Sequence, residues 1–182
     1  MRHPSARGAR RARAADLDAL VALRAEMFDA MRVPATDDTW RRAARSWFAE
    51  RLDDPGACLA VVEVEGEVVS SALGVVRDSA PSPANPAGRD VLVFNVCTLP
   101  HARGHGHARA ALATVMEWAR GTGAGRAELF ATPAGRALYE EAGFVVRTDP
   151  AMRADLRARA DPEPPAELGP PADPRPRAEP TT

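Results

Sequence analysis

Apolar positions change their period along this chain, and the changes divide it into elements. From Leu17 onward Leu20, Val21, Met27, Phe28 and Met31 recur at helical spacing, and Val33-Pro34 breaks the run. A second helix, capped by Asp37 or Asp38, sets Trp40, Ala43, Ala44, Trp47, Phe48 and Leu52 on one face and stops at Pro55-Gly56. Upstream, Ala9 to Ala14 reads as a short edge strand, with Asp16 as the cap of the first helix. Cys58 to Val64 and Glu67 to Arg77 are β-branched runs joined by Glu65-Gly66, a tight hairpin turn in which glycine supplies positive φ. Three prolines between Asp78 and Arg89 predict a long surface loop bordering a substrate entrance.

The second half alternates strand and helix. A strand over Asp90 to Thr98 precedes a glycine-rich turn and a helix with Ala108, Ala111, Leu112, Val115, Met116 and Ala119 inward, which ends at Gly121 to Gly125. Arg126 to Phe130 then forms a strand, and strand–helix–strand closes as a right-handed parallel crossover. Thr132 as N-cap, Pro133 at the first helical position and Gly143 past the end delimit a last helix. Phe144 to Arg147 and Ala151 to Leu156 are read as closing strands. From Arg157 eight of the 17 prolines fall in a segment nearly free of large apolar residues, which is expected to be disordered because it cannot offset its ordering entropy.

With 182 residues, 45% apolar and 27% charged, the chain is expected to hold one globular domain, residues 9–156, between a flexible start (1–8) and the proline-rich tail (157–182). A net charge of -1 gives no bulk attraction to nucleic acid or acidic membranes. All 24 basic residues are arginine. Cys58 and Cys97 lie in apolar strand runs and read as small buried hydrophobes, which fits a reducing, cytoplasmic location. No run approaches the 18 or so apolar residues of a membrane span.

Chemistry concentrates in Arg103-Gly104-His105-Gly106-His107-Ala108, between the strand ending at Thr98 and the next helix. A glycine turn there aims several N–H groups at one point, and the helix adds unpaired N–H groups and a positive dipole end. A phosphate or pyrophosphate is the natural guest. A dinucleotide fingerprint would need a small residue where Arg109 stands, and a Walker loop would need lysine. His101, His105 and His107 suggest a metal, but Pro100, Gly104 and Gly106 deny them a regular helical register, so no metal is expected. A plain tight turn with solvated histidines remains the simple alternative.

These segments resemble the GNAT superfamily of N-acetyltransferases. In its phosphate loop an Arg or Gln, a Gly and a Gly or Ala recur in the register filled here by Arg103, Gly106 and Ala108. Phe94 to Pro100 resembles the family's fourth strand, and Gly135 to Phe144, with the sole tyrosine Tyr139, its closing helix. The resemblance implies an α/β (α+β) fold: a mixed, mostly antiparallel sheet of six to seven strands, a parallel crossover from the fourth strand to the fifth, and helices on both faces.

It also implies a function, acetyl transfer from acetyl-CoA to a primary amine of a small molecule or protein by direct attack in a ternary complex. A non-catalytic acyl-CoA-binding regulatory module is the alternative. Pantetheine would lie along Val96, Cys97 and Thr98, and the pyrophosphate on the amides of Arg103, Gly104, His105, Gly106, His107 and Ala108, with Arg103 and Arg109 adding charge. Tyr139 would protonate the leaving thiolate, since its ordinary pKa of about 10 exceeds that of a thiol, about 8.5. Asp90 is the leading candidate for general base, ahead of Glu128, with a water route to solvent as the other option. The expected partners are acetyl-CoA and an amine, without nucleic acid or membrane, and a homodimer is left open.

Overall fold

The computed structural model describes residues 8–34, 37–148 and 151–156. Two compact units divide the chain, Met1–Val146 and Arg147–Thr182. In the second, the described residues form neither helix nor strand. Residues 1–7 of the expected flexible start, and the proline-rich tail from 157, lie outside the described residues.

The first unit is built on one sheet in the order β1 (Ala9–Arg11), β2 (Ala57–Val64), β3 (Glu67–Asp78), β4 (Arg89–Thr98) and β5 (Arg126–Glu128). Every pairing is antiparallel except that of β4 with β5. Glu65 and Gly66 both take positive φ, 51° and 86°, so the β2–β3 turn has the twist that a two-residue hairpin demands. Because side chains alternate across a strand, Leu59, Val61 and Leu73 face α1 (Leu17–Ala30) and α2 (Thr39–Glu50), while Cys58, Ala60, Val62 and Ala72 face α3 (His107–Arg120). Two hydrophobic layers result, one on each side of the sheet. The layer on the α3 side also receives Leu138 and Tyr139 of α4 (Arg136–Glu141).

Close approach of α3 depends on Gly74 in β3. A Cβ there would lie 2.7 Å from Val115 Cγ1 and 2.8 Å from Trp118 Cζ3, so only glycine lets the helix settle at this distance. That contact fixes where the helix points, and its first turn arrives at the end of β4.

Two expectations are corrected. The described sheet has five strands, not six to seven, because neither Phe144 to Arg147 nor Ala151 to Leu156 forms a strand. Val145 and Val146 are 81% and 65% exposed, and a β-branched run with no ladder partner does not hold strand geometry. Asp16 stands at the N-cap of α1, but its side chain makes no capping hydrogen bond to that helix. It ends the 3-10 turn Ala14–Asp16, and its Oδ2 accepts the Arg13 N–H at 2.8 Å, reaching back as the third residue of a capping box does. Asp37 does cap α2 in effect, its Oδ1 accepting from the Thr39 N–H at 2.7 Å.

Asp16 is buried, and its carboxylate receives both terminal nitrogens of Arg10, at 2.6 and 2.9 Å. Arg10 also donates to Glu63, tying β1 to β2 and to the start of α1. The hydrogen bonds from Arg10 hold the Asp16 carboxyl below the ordinary carboxylate range against the opposing effect of burial. A depressed folded pKa means stability that is present above the unfolded value, about 3.9, and is lost as pH falls through the folded one. Asp16→Asn should therefore lower stability by about 2 kcal/mol at pH 6, and the gap to the parent protein should narrow below about pH 4, as read from urea unfolding midpoints.

Candidate functional site

The chain leaves β4 through Leu99 and the 3-10 turn Pro100–Ala102, then enters α3 across Gly104 and Gly106, both at φ 80°. L side chains rarely adopt this conformation, and nothing lies within 4 Å of a Cβ built on either glycine, so the loop surface is open. Gly106 is the N-cap of α3 and no side chain caps it. The first loop-to-helix bond is Ala110 N–H to Gly106 O at 3.0 Å. Consequently the six consecutive amides Gly104 to Arg109 donate to no acceptor among the described residues. Unpaired donors in one run at the positive end of a 14-residue helix form an anion cradle.

β4 reaches this cradle with an irregularity. Ser71 pairs with Cys97 and Leu73 with Phe94, so β4 spends three steps where β3 spends two. The extra residue makes a bulge, and Asn95 within it has φ 52° and is 3% exposed. Side-chain parity reverses across it: Val91 and Val93 face α3, Phe94 faces α1 and α2, and Val96 faces α3 again. Cys97 therefore turns toward α1, close enough to Glu26 for the carboxylate to perturb its thiol. On the other edge, β5 pairs only with Asp90, Val91 and Leu92 and ends at Glu128. Among the described residues no strand lies beside that edge of β4 from Val93 to Thr98, so a slot runs from the bulge to the loop.

Tyr139 is half-buried on α4 and packs, with Val96, against the same core layer. Its ring makes an edge contact with Phe144 at 6.2 Å, and a Cβ on Gly135 would lie 3.0 Å from the ring, so glycine makes room for it. The Phe144 N–H bonds Tyr139 O at 3.0 Å across Gly143 at φ 93°, a Schellman closure that fixes the end of the helix. Thr132 Oγ1 accepts the Gly135 N–H, as the sequence leads one to expect of an N-cap. The Tyr139 hydroxyl makes no hydrogen bond among the described residues, and burial raises its pKa.

The charged candidates are distributed differently from the expectation. Arg103 donates to Glu26 at 2.7 Å and to Thr98 O at 3.1 Å, and Arg109 is paired with Glu141, so both guanidiniums brace the loop against α1 and α4. Asp90 stands at the start of β4, nine residues before the loop's Leu99, buried between Arg77 at 2.7 Å and Arg126 at 3.5 Å, with Glu128 in the same network. It is not brought together with Tyr139 or the loop. The loop 79–88 likewise sits at that far end, where the Gly125 N–H bonds Arg89 O. His105 and His107 stack at 5.9 Å, and among the described residues no cluster of His, Cys, Asp or Glu could hold a metal. Sequence reasoning missed Arg24 and Glu26 of α1, although Arg24 interrupts the apolar stripe Leu17, Leu20, Val21, Phe28.

A concavity of about 950 Å³ lies by the other end of α3, between Trp118, Thr122, Arg11, Gly56 and Arg89. It includes neither the loop amides, the open strand edge nor Tyr139, so volume does not locate the chemistry here. A smaller hollow of about 340 Å³ flanks the loop beside His101, His105 and Glu67.

A family model described as acetyltransferase (GNAT) family matches residues 18–144. Among solved structures, the chain is similar to a predicted acetyltransferase from Clostridium acetobutylicum crystallised with acetyl-CoA, at 24% identity, covering 81% of this chain and 95% of that one, with a TM-score of 0.72. It is also similar to a GCN5-related N-acetyltransferase from Ralstonia eutropha JMP134, at 24% identity over 80% and 97% of the two chains, with a TM-score of 0.65. No curated protein sequence matches.

Gly106→Ala should test the cradle. Forcing a Cβ into positive φ costs about 1–2 kcal/mol or rotates the amides away. Calorimetry should show coenzyme A binding weakened at least tenfold, with a melting temperature lowered by only a few degrees.

Proposed function

Because the chain belongs to the GNAT acetyltransferase family, an acyltransferase family whose cosubstrate is acetyl-CoA, we propose that it transfers the acetyl group directly to a primary amine within a ternary complex. The observation that carries this reading is the run of unpaired amides from Gly104 to Arg109 at the mouth of the slot beside β4. The amides receive the pyrophosphate, and glycine at 104 and 106 permits close approach. Main-chain groups of Val96, Cys97 and Thr98 face pantetheine as a missing strand would, which sets the thioester next to the bulge.

Transfer then needs an electrophile, a nucleophile and two proton movements. A neutral amine attacks the thioester carbonyl, and a main-chain N–H at Val96 or Cys97 receives the developing oxyanion. As the carbon–sulfur bond breaks, the Tyr139 hydroxyl gives its proton to the sulfur. Desolvation supports that role: a phenol with a raised pKa stays protonated at neutral pH. The proton lost by the amine goes to solvent by water, because Asp90 is committed to two arginines at the far end of β4.

Cys97 supports direct attack over an acyl-cysteine route. Burial first, and then the Glu26 carboxylate, push its thiol up to about 11. Only about one part in 10⁴ would be thiolate at pH 7, too little for a nucleophile. No observation favours a non-catalytic binding module.

Tyr139→Phe should lower kcat for thiol release by about 10²-fold while the dissociation constant for coenzyme A changes less than threefold. In the parent enzyme no fall in kcat should come from Tyr139 until pH exceeds 10, since an acid is active below its pKa and this one is raised. An unchanged rate in the variant would remove the tyrosine from the mechanism.

A further inference from the structure

Arg24 occupies a position on α1 that helical spacing assigns to the core, one turn from Leu20 and Val21 and one turn from Phe28. Its surroundings are apolar on one side, with the guanidinium carbon 4.8 Å over the Phe28 ring, and Phe28 in turn meets Trp40 edge-on at 5.4 Å. Among the described residues its one hydrogen bond runs from Nη1 to Asn95 Oδ1, at 3.1 Å. Other half-buried arginines are matched by acids: Arg10 has Asp16 and Glu63, and Arg77 has Asp90 and Glu128. Arg24 has no carboxylate partner among the described residues. Burial accordingly lowers its pKa, whereas the acid partners raise those of Arg10 and Arg77. A partly desolvated cation without an anion is costly to keep, and a guanidinium whose Nη2 and Nε bond none of the described residues is shaped to take one.

The mounting of Arg24 is as specific as its isolation. Asn95 sits in the bulge at positive φ, its Nδ2 donating to Ser71 Oγ at 3.4 Å while Ser71 Oγ donates to Asn95 O at 3.2 Å. The amide oxygen left over faces Arg24 and fixes the fork. One and two residues further on are Val96 and Cys97, where the acyl group is seated under the function proposed above. The distance along the strand is at most about 7 Å.

Resting on that reading, we propose that Arg24 is a specificity-determining residue whose free fork binds a carboxylate of the acceptor, so that the substrate class is a small amine carrying a carboxylate a few bonds from its nitrogen, as an α-amino acid does. A single planar fork matches a carboxylate monoanion, and the ring of Phe28 closes one face of the site to water. Glu26 is held by Arg103 and is not available to neutralise Arg24.

The test is thiol release from acetyl-CoA with L-α-amino acids, each paired with its own carboxamide, and with phosphoethanolamine paired with ethanolamine. The expected result is a kcat/KM at least about 30-fold higher for some amino acid than for its carboxamide, a ratio that falls to within threefold of one in Arg24→Gln and is partly kept in Arg24→Lys. Coenzyme A calorimetry on each variant reports that it is folded. Equal rates for acid and carboxamide, a preference that survives Arg24→Gln, or a preference confined to phosphoethanolamine would each overturn the proposal while leaving acetyl transfer standing. Should no amine turn over, thermal shifts with the corresponding N-acetyl amino acids decide. Stabilisation that disappears in Arg24→Gln upholds the carboxylate site although transfer fails, and no stabilisation overturns it.

Discussion

A single inserted residue in β4 is the constraint from which the site follows. Asn95 takes the left-handed conformation, which asparagine tolerates better than most residues, and the buried hydrogen bonds with Ser71 hold it there. Everything beyond it is turned over. Without the bulge, strict alternation would put Cys97 on the α3 side with Val91 and Val93, and would aim Val96 at α1. With it, Val96 joins the layer that also contains Tyr139, and Cys97 and Asn95 meet α1. The same irregularity increases local twist, which accords with β4 and β5 pairing for three residues and then parting.

Two further contacts decide what lies at the end of that slot. Gly74 removes the one Cβ that would hold α3 off the sheet, so the helix start falls at the end of β4 and not to one side. Arg103 and Arg109 then tether the loop's two flanks to Glu26 on α1 and Glu141 on α4. The Arg109–Glu141 pair is largely exposed and in the other pair the arginine is, so each contributes little to stability, about 0–1 kcal/mol. Their effect is on position. Positive potential at the loop consequently comes from oriented amides and the helix end more than from side-chain charge.

Much of this was legible in the residues, and the legible parts share a cause. Gly104, Gly106 and Gly143 mark places where the backbone must adopt positive φ, a requirement a side chain cannot meet cheaply, so sequence and conformation are tightly coupled there. The hairpin at Glu65-Gly66 and the Thr132 cap are local in the same sense. What failed to show were features set by distant partners. The bulge is invisible because Val91 to Thr98 reads as an ordinary strand, and only the pairing with β3 reveals the extra residue. Asp90 looks free in the sequence, and its commitment to Arg77 and Arg126 arises from the sheet. Phe144 to Val146 has strand-like composition, yet no neighbour among the described residues supplies a ladder, and exposure of Val145 and Val146 is the consequence.

Arg24 sits between these cases. Its position in an apolar stripe is a sequence observation, but the meaning depends on what surrounds it, since an arginine there could equally have been neutralised as Arg10 and Arg77 are. In those two the acids come from neighbouring strands or from the start of α1, and the ion pairs join elements together. Around Arg24 the neighbouring groups are an aromatic ring and an amide oxygen, neither of which returns the Coulomb energy that a carboxylate would. Among the described residues the other half-buried arginines are paired with acids and this one is not, and that contrast is the ground for proposing an anionic ligand for it. The same residue that bulges β4, Asn95, is the one that holds this cation in place, so under the proposed function the donor edge and the acceptor's charge recognition would share one structural origin.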